Sequence, residues 1–472
     1  MSITRDLTKG PILSELLYLA FPIMLTMFVQ MMYNMTDMIW IGRLGSGPVA
    51  AVGTAGFFLW FCNSVMMATK TGVEVGVSQS AGRQDLESEK AYARNSVRLA
   101  FYLSVLFGVI LYVFAKPLLG FFHLGITSTG YDPTLHGIGY LRIVSMGTLF
   151  LFLNPTYSGI FNALGNSKIP LHYNVTGLVI NALLDPCLIY GLGPFPRLEV
   201  NGAAIATVFA QFVVFILFYL RLHGNKSPLR FGFFIGRLQK TYLRSILKFG
   251  SPVAIQSALF AFFAMIIARI LATWGPVPIA VQRVGSQIEA ISWMTAGGFS
   301  TALSAFTGQN YGAKQYDRIR KGYYASMTVM GSVGVIASFA LILFPGQIFH
   351  VFIQESGTLP LGIDYLRILG YSQLFMCIEI TTGGAFNGLG RAYIPAVVSI
   401  TMNALRIPLA ILLSSKALLG LNGIWWSVSS TSIVKGVLLF TWFVVFYQAF
   451  MKRKERFSEN VNPIGSAGEI IS

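Results

Sequence analysis

The chain has 472 residues, of which 54% are hydrophobic and 11% are charged, and its formal net charge is +16. A soluble domain carries about a quarter charged residues, so this composition excludes an ordinary water-soluble protein and is typical of a chain that faces lipid. The positive charge does not indicate a nucleic-acid partner, because it is concentrated between apolar stretches, in blocks such as 221–248 and 452–456.

Twelve apolar stretches reach the roughly 20 residues that a transmembrane helix needs. In chain order they are 14–41, 49–80, 92–115, 139–163, 169–191, 202–222, 245–272, 278–308, 320–344, 363–389, 393–416 and 422–449. Four contain an internal proline, which predicts bends at Pro22, Pro155, Pro252 and Pro408. The sequence therefore predicts an all-α membrane protein with twelve transmembrane helices.

Lysine and arginine are distributed unevenly between the two sets of loops. The termini and the loops after even-numbered spans hold most of the 34 such residues. The opposite loops hold Arg43, Lys116, Arg197 and Lys416. Because positive residues are retained on the cytoplasmic side, we expect a multi-pass protein of the cell (inner or plasma) membrane with both termini in the cytoplasm.

The two halves of the chain resemble each other. Pro22 corresponds to Pro252 in the second half. The paired motifs are QSAG (79–82) with QNYG (309–312), IFNALG (160–165) with AFNGLG (385–390), NALLDP (181–186) with NALRIP (403–408), and VNG (200–202) with LNG (421–423). An even number of spans per half gives both halves the same orientation. The repeat is therefore parallel, with a pseudo-two-fold axis along the membrane normal.

This repeat divides the chain into four predicted segments. They are an N-terminal six-helix lobe (1–222), a cytoplasmic linker (223–244), a C-terminal six-helix lobe (245–450) and a cytoplasmic polar tail (451–472). Parallel repeats are typical of transporters that work by alternating access, so the cleft between the two bundles is the predicted path.

Asp37 and Asp185 are acids inside the first and fifth spans, where a charge costs about 2.5–3.5 kcal/mol. Both lie roughly 8 Å inside the outer boundary, given the helical rise per residue. Asn181 lies one turn before Asp185, and Gln30 lies two turns before Asp37, each on the face of its acid. Such a set can coordinate Na⁺ through Asp37, Asp185 and Asn181, or one carboxyl can hold a proton. The other interpretation is a pair of helix-end acids that reach water or bind a neighbouring backbone.

The repeat separates these interpretations, because the second half lacks both acids. Asp37 aligns with Ile267, and Asp185 aligns with Ile407. Acids that served only the scaffold would be expected in both copies. The asymmetry therefore predicts a dedicated ion site in the N-terminal lobe.

The second lobe has two membrane acids of its own, Glu289 in span 8 and Glu379 in span 10. Glu379 aligns with Asn154 of the first lobe. Basic residues of the same half that can pair with these acids are Arg269, Arg283 and Arg406. One interpretation is a structural ion pair. The other is a glutamate that faces the cavity and attracts a cationic substrate or carries protons.

No enzyme motif is found. GxxxxGK[ST], HExxH and GxSxG are absent from the sequence, so neither ATP drive nor an integral-membrane enzyme is predicted. The five histidines are too scattered for a metal site. We expect no cofactor, with Na⁺ or H⁺ as the coupling ion.

Several motifs together resemble the multidrug and toxic compound extrusion (MATE) family. They are TKGPI, AFP with Gln30 and YNMTD, IGRLG, GQNYGAK (308–314), FNALGNSKIP (161–170), NALLDPCLIYGLGPFP, and VNGAAIAT up to Thr207. The resemblance covers Leu7 to the end of span 12. It implies two six-helix bundles in a V and export of organic, mostly cationic compounds in exchange for Na⁺ or H⁺. It also implies a first-lobe cation site that contains Asp37, Asp185, Gln30, Asn154, Asn181 and Thr207.

One departure concerns span 7, where Pro252 is followed by VAIQSALFAF without an acid. NorM-like and eukaryotic members have a glutamate there, so the chain looks closer to the DinF-like branch. The alternative is a flippase for lipid-linked oligosaccharides or lipids of the same superfamily, with a strongly cationic cavity and often extra helices. We expect a monomer in the bilayer whose partners are small organic cations and drugs, with no nucleic acid.

Overall fold

The computed structural model describes residues 4–122, 131–224, 235–352, 357–415 and 417–461, with backbone alone in 452–461. These ranges form sixteen α-helices and no strand. The first half contains α1 (Ile12–Gly42), α2 (Ser46–Gly82), α3 (Leu86–Val113), α4 (Ala115–Gly120), α5 (Pro133–Met146), α6 (Thr148–Ala163), α7 (Lys168–Tyr190) and α8 (Glu199–His223). The second half contains α9 (Lys240–Ala272), α10 (Pro276–Gly312), α11 (Tyr316–Leu343), α12 (Pro345–His350), α13 (Leu359–Gly370), α14 (Gln373–Gly388), α15 (Tyr393–Leu413) and α16 (Leu421–Val461).

Each of the twelve predicted spans overlaps one helix or one pair of consecutive helices. Within the described ranges, eight helices are long and apolar enough to cross a membrane, and α5 with α6 makes a ninth span bent by 47°. The other three predicted spans are α7, α10 and the pair α13 and α14. They carry Asp185, Glu289 and Glu379, and the last span is divided into helices of 12 and 16 residues. Pro22, Pro155, Pro252 and Pro408 all lie inside continuous helices.

Each half of the chain supplies most of the residues of its own apolar core. Helices of the first half surround Phe152, Tyr157 and Phe218. The second half has two clusters, one around Phe386 and one around Trp425. Because lipid is as apolar as these side chains, van der Waals packing between helices, and not transfer out of water, stabilises the clusters.

The first half of α1 packs in the core of the second lobe. Leu16, Leu19 and Ala20 are fully buried in one cluster with Leu303 and Phe306 of α10. The later part of α1 contacts α7 in the first lobe, where Tyr33 lies against Gly177. Helix α1 therefore joins the two bundles, although the sequence repeat assigns it to the first.

The lobes meet along a seam at the membrane side where α1 begins and α16 ends, which we call the termini side. A Cβ atom on Gly82, at the end of α2, would overlap the backbone carbonyl of Gln309 on α10. A Cβ atom on Gly312 would overlap the carbonyl of Gln79 in the same way. The two glycines are repeat partners, so the backbones of α2 and α10 approach closely in both directions because neither residue has a side chain.

Repeat-related glutamines cross this seam. Gln79 Nε2 donates to the carbonyl of Gly388 over 2.9 Å, and Gln309 Nε2 donates to the carbonyl of Ala163 over 2.8 Å. Nearer the membrane centre, the hydroxyls of Ser64 and Ser257 lie 3.1 Å apart. The seam therefore runs from mid-membrane to the termini side.

The segment before α1 covers the seam. Leu7 is fully buried, and its backbone N–H donates to Gln309 Oε1 over 2.8 Å. Asn310 Nδ2 donates to the Leu7 carbonyl over 3.2 Å. Arg5 pairs with Glu15 of α1 at 2.6 Å, and this contact raises the pKa of the Arg5 guanidinium. The N-terminal segment thus stabilises the contact between lobes.

Two of the predicted segments lie partly outside the described residues. In the predicted linker 223–244, residues 225–234 are not described. Its later part docks on α3, where the Gln239 N–H donates to Asn95 Oδ1 over 2.7 Å. In the predicted tail 451–472, α16 continues to Val461, and 462–472 are not described.

Candidate cation-binding site

Asp37 and Asp185 come together inside the first lobe, where their carboxyl groups lie close enough to interact electrostatically. Asp185 and Asn181 are fully buried, and Asn181 Nδ2 donates to Asp185 Oδ1 over 3.1 Å. Thr207 Oγ1 donates to Asp37 Oδ2 over 3.2 Å, and Asn181 Nδ2 lies 3.4 Å from the same hydroxyl. Four polar side chains from α1, α7 and α8 therefore form one cluster.

Local helix geometry explains how these residues meet. Asn181 and Asp185 are four residues apart on α7, so both side chains lie on one face. The contact between α1 and α7 is close at Gly177, where a Cβ atom would overlap the Tyr33 hydroxyl. Tyr33 lies one turn before Asp37 on the same face of α1. The missing side chain at Gly177 thus brings the face that carries Asp37 against α7.

The acid pair has no basic partner. Among the described residues, neither Asp37 nor Asp185 forms an ion pair with Lys, Arg or His. Three buried oxygens also lack a hydrogen-bond donor within the described ranges, namely Asp37 Oδ1, Asp185 Oδ2 and Asn181 Oδ1. In an apolar interior, the state in which both carboxyl groups are ionised has a high free energy unless a positive charge lies beside them. The cluster is therefore suited to a proton or to a small hard cation bound by oxygen atoms.

Two tyrosines that the sequence did not single out complete the surroundings. Tyr33 and Tyr140 are both buried and lie close enough to interact electrostatically with both acids. Tyr33 lies one helical turn before Asp37 and on the same face, as Asn181 does relative to Asp185. Helical periodicity could therefore have identified Tyr33. Tyr140 begins the segment YLRI (140–143), which recurs at 365–368, and this recurrence does not indicate a position beside the acids.

The structure does not bring Gln30 or Asn154 to the acids. Gln30 is exposed and makes no hydrogen bond to either acid within the described part of the chain. Asn154 is buried on α6, and its Nδ2 donates to the carbonyl and to Oε1 of Gln211, both over 2.9 Å. Gln211 lies one turn after Thr207 on α8. Asn154 thus contacts the helix that carries Thr207, one layer away from the acids.

One of the two second-lobe acids has a basic partner that was not expected, and the other lies near one that was. Glu379 pairs with Lys435 of α16 at 2.9 Å, a lysine that the sequence analysis did not consider. Glu289 lies near Tyr365 and Arg406. Arg406 donates to the hydroxyls of Thr431 and Ser432 on α16, each over 2.8 Å. Two of the expected partners, Arg269 and Arg283, are exposed and form no ion pair within the described ranges.

We expect Thr207→Val to weaken ion binding without unfolding the protein. The substitution preserves shape but removes the hydroxyl that donates to Asp37. A hydrogen bond to a charged group contributes about 1.5–3 kcal/mol, so apparent ion affinity should fall about tenfold or more. The measurement is the ion concentration, Na⁺ or H⁺, at which the melting temperature of the purified protein is half-shifted. Thr176→Val is the matched control, because Thr176 is exposed on α7 and bonds only to its own helix. Equal ion dependence of the two variants would contradict a role for Thr207.

Two bundles of helices joined by a pseudo-symmetric seam, with an acid pair buried in one of them, define a membrane transporter built from a duplicated unit. The MatE family profile matches residues 22–187 and matches again at residues 252–412, once in each half. The chain belongs to the MatE family. The double match also supports the internal repeat independently of the motif comparison.

Curated relatives match over nearly the full length. A probable multidrug resistance protein NorM of Thermotoga maritima is 27% identical over 91% of this chain and 92% of its own. A probable multidrug resistance protein YoeA of Bacillus subtilis is 25% identical over 96% and 97% of the two chains. A FAD transporter of Shewanella oneidensis is 24% identical over 92% and 94%.

Solved structures share the fold. An outward-facing conformation of a multidrug resistance MATE family transporter of the MOP superfamily superimposes with a TM-score of 0.84 at 22% identity, covering 94% of this chain and 98% of that one. A crystal structure of MATE in the bent conformation superimposes with a TM-score of 0.85 at 22% identity, covering 95% and 98%. The predicted fold class, an all-α membrane protein with two six-helix bundles, is confirmed.

Proposed function

We propose that the protein is a secondary active antiporter that exports organic, cationic amphipathic compounds in exchange for Na⁺ or H⁺. The observation that carries this proposal is the pair Asp37 and Asp185, buried together without a basic partner in the described chain. A ligand shifts a conformational equilibrium only through different affinities for the two states. A cation that neutralises the pair in one state supplies that difference.

We place both termini in the cytoplasm of a monomer in the cell membrane. Lysine and arginine between the spans support this orientation. The seam at Gly82 and Gly312 then lies on the cytoplasmic side, and the described conformation is closed to the cytoplasm. An ion that enters from outside would reach Asp37 and Asp185 near the outer ends of α1 and α7.

The class of substrate rests on charge and on relatives. The names of two relatives refer to multidrug resistance, while a third is a FAD transporter. The bases of the second lobe do not favour a flippase, because Lys435 is paired with Glu379 and Arg406 lies near Glu289. A cavity for a pyrophosphate lipid needs positive charge that acids have not already balanced. The DinF-like branch stays a prediction that rests on the missing acid after Pro252, and the names of the relatives do not test it.

The test is transport in proteoliposomes with one gradient imposed at a time. A Na⁺ gradient at equal pH and a pH gradient in choline buffer would each be applied to vesicles that contain ethidium. We expect one of the two ion gradients to drive ethidium against its own concentration gradient. An ionophore that collapses this ion gradient should stop ethidium transport. Parallel vesicles loaded with FAD test the anionic substrate. FAD transport without ethidium transport would contradict the proposed substrate, and ethidium movement under neither gradient would contradict antiport.

A further inference from the structure

The second lobe contains four neighbouring charged side chains, two buried and two half-buried, whose charges sum to zero. Glu379 Oε1 lies 2.9 Å from Lys435 Nζ and accepts from Ser399 Oγ over 3.1 Å. Glu379 is 8% exposed and Lys435 is 6% exposed, so the contact is shielded from bulk water. Arg406 interacts electrostatically with both Glu379 and Glu289. Two acids and two bases therefore share one interior.

The first lobe has the opposite balance. Its central acids, Asp37 and Asp185, carry two negative charges when ionised, and no described base pairs with either. In a low-dielectric interior such a pair requires a proton or a cation from outside the protein. The second lobe requires neither, because its compensating charges are covalently attached to the chain.

The repeat shows how the second lobe differs in composition at equivalent positions. Glu379 aligns with Asn154, and the pairing of LNG with VNG aligns Lys435 with Val214. The pairing of NALRIP with NALLDP aligns Ser399 with Gly177. In the first lobe the equivalent residues also meet, since a Cβ atom on Gly177 would lie 2.5 Å from Val214 Cγ2. At this place in the bundle the second lobe thus has a carboxylate, a hydroxyl and an ammonium group. The first lobe has an amide, a glycine and a valine at the equivalent positions.

We propose that Lys435 is a tethered counter-cation that occupies the place of a free cation beside Glu379, so that the coupling ion binds in the first lobe alone. The inference rests on the proposed function for the identity of that coupling ion as a proton or Na⁺. Lys435 is therefore a positioning residue: its ammonium group neutralises Glu379 and so prevents a second ion site in this lobe. Replacing Lys435 with an uncharged side chain leaves Glu379 with a serine hydroxyl and no adjacent ammonium, and so creates a second site for a small monovalent cation or proton.

The experiment measures ion binding and not transport, so it is independent of the export assay. Purified protein is melted in choline, Na⁺ and Li⁺ buffers and across pH, first in the background Asp37→Asn with Asp185→Asn, which removes the first-lobe charges. Lys435→Met in this background is expected to gain a cation- or acid-dependent rise in melting temperature of about 2 °C or more. The matched control adds Glu379→Gln to Lys435→Met and should lose that rise. Arg406, which interacts electrostatically with Glu379 and with Glu289, stays unchanged in both variants, as do Glu289 and its neighbour Tyr365.

The outcomes separate the two proposals. A rise that appears with Lys435→Met and disappears with Glu379→Gln supports the tethered cation, whatever the export assay shows. No rise in a folded Lys435→Met protein, or the same rise in both variants, overturns it. If Lys435→Met alone fails to fold, recovery of folding by the added Glu379→Gln supports the inference, and failure of both overturns it. Lys435→Arg keeps the charge and should show no rise, so a rise in this variant also overturns it.

Discussion

Asp37→Asn is expected to reduce ion-driven export at least about tenfold while the protein still folds. The substitution preserves the shape of the side chain, and the amide oxygen can still accept the hydrogen bond from Thr207. It removes one of two negative charges from a cluster that has no basic partner within the described chain. Contacts to charged groups contribute about 1.5–3 kcal/mol each, which corresponds to a loss of ion affinity of about tenfold or more.

The measurement is the initial rate of ethidium export under the gradient that drives the parent protein. Asp185→Asn should have an equal or larger effect, because Asp185 is fully buried and contacts both Asn181 and Asp37. Glu87→Gln is the control, since this acid has an 86% exposed side chain paired only with Lys90. Ion-driven export at the parent rate in Asp37→Asn would show that the coupling ion binds elsewhere.

Gly82→Ala is expected to open the seam between the lobes and to block turnover. The new methyl group would overlap the Gln309 carbonyl, and backbone cannot move aside as a flexible side chain can. Overpacking of this kind costs about 1–3 kcal/mol, so the population closed at the termini side should fall about tenfold relative to the open one. Export should fall because the transporter less often reaches the conformation that is closed at the termini side and open to the opposite side.

The readout for this seam is the labelling rate of Ser78→Cys, a conservative change at a fully buried position of α2. The three native cysteines, Cys62, Cys187 and Cys377, are first replaced by serine or alanine. Labelling by a water-soluble maleimide from the termini side should be slow in the parent and about tenfold faster with Gly82→Ala. Gly53→Ala is the matched control on the same helix, because no atom lies within 4 Å of its added Cβ. Equal labelling of the two variants would contradict a role for the close approach at Gly82.

The seam between the lobes has contacts that its sequence motifs predict and contacts that they do not. The repeated QSAG and QNYG segments are visible in the sequence, and their glycines suggest a tight contact. That each glutamine donates to the carbonyl of a repeat-related residue in the opposite lobe is visible only in the structure. The same holds for Leu7, whose burial in the seam depends on a contact with Gln309, far away along the chain.

The sequence by itself determined the class, the twelve spans, the duplication and the acids that require an explanation. These are properties of the chain in one dimension, because the length of an apolar segment and the cost of a charge within it do not depend on the neighbouring helices. Asp37 and Asp185 could therefore be placed at similar depth, and their absence from the second copy could be read from the alignment.

Only the tertiary structure decided which side chains meet. Hydropathy does not encode the rotation of each helix about its axis, so it could not show that Glu379 faces Lys435 while Arg269 and Arg283 are exposed. It also could not show that Thr207 binds Asp37 while Gln30 does not. Gln30 lies on the same helix face as Asp37 by its spacing, but its side chain is exposed. Packing fixes these rotations through small residues such as Gly177, where the absence of a side chain brings two helices together.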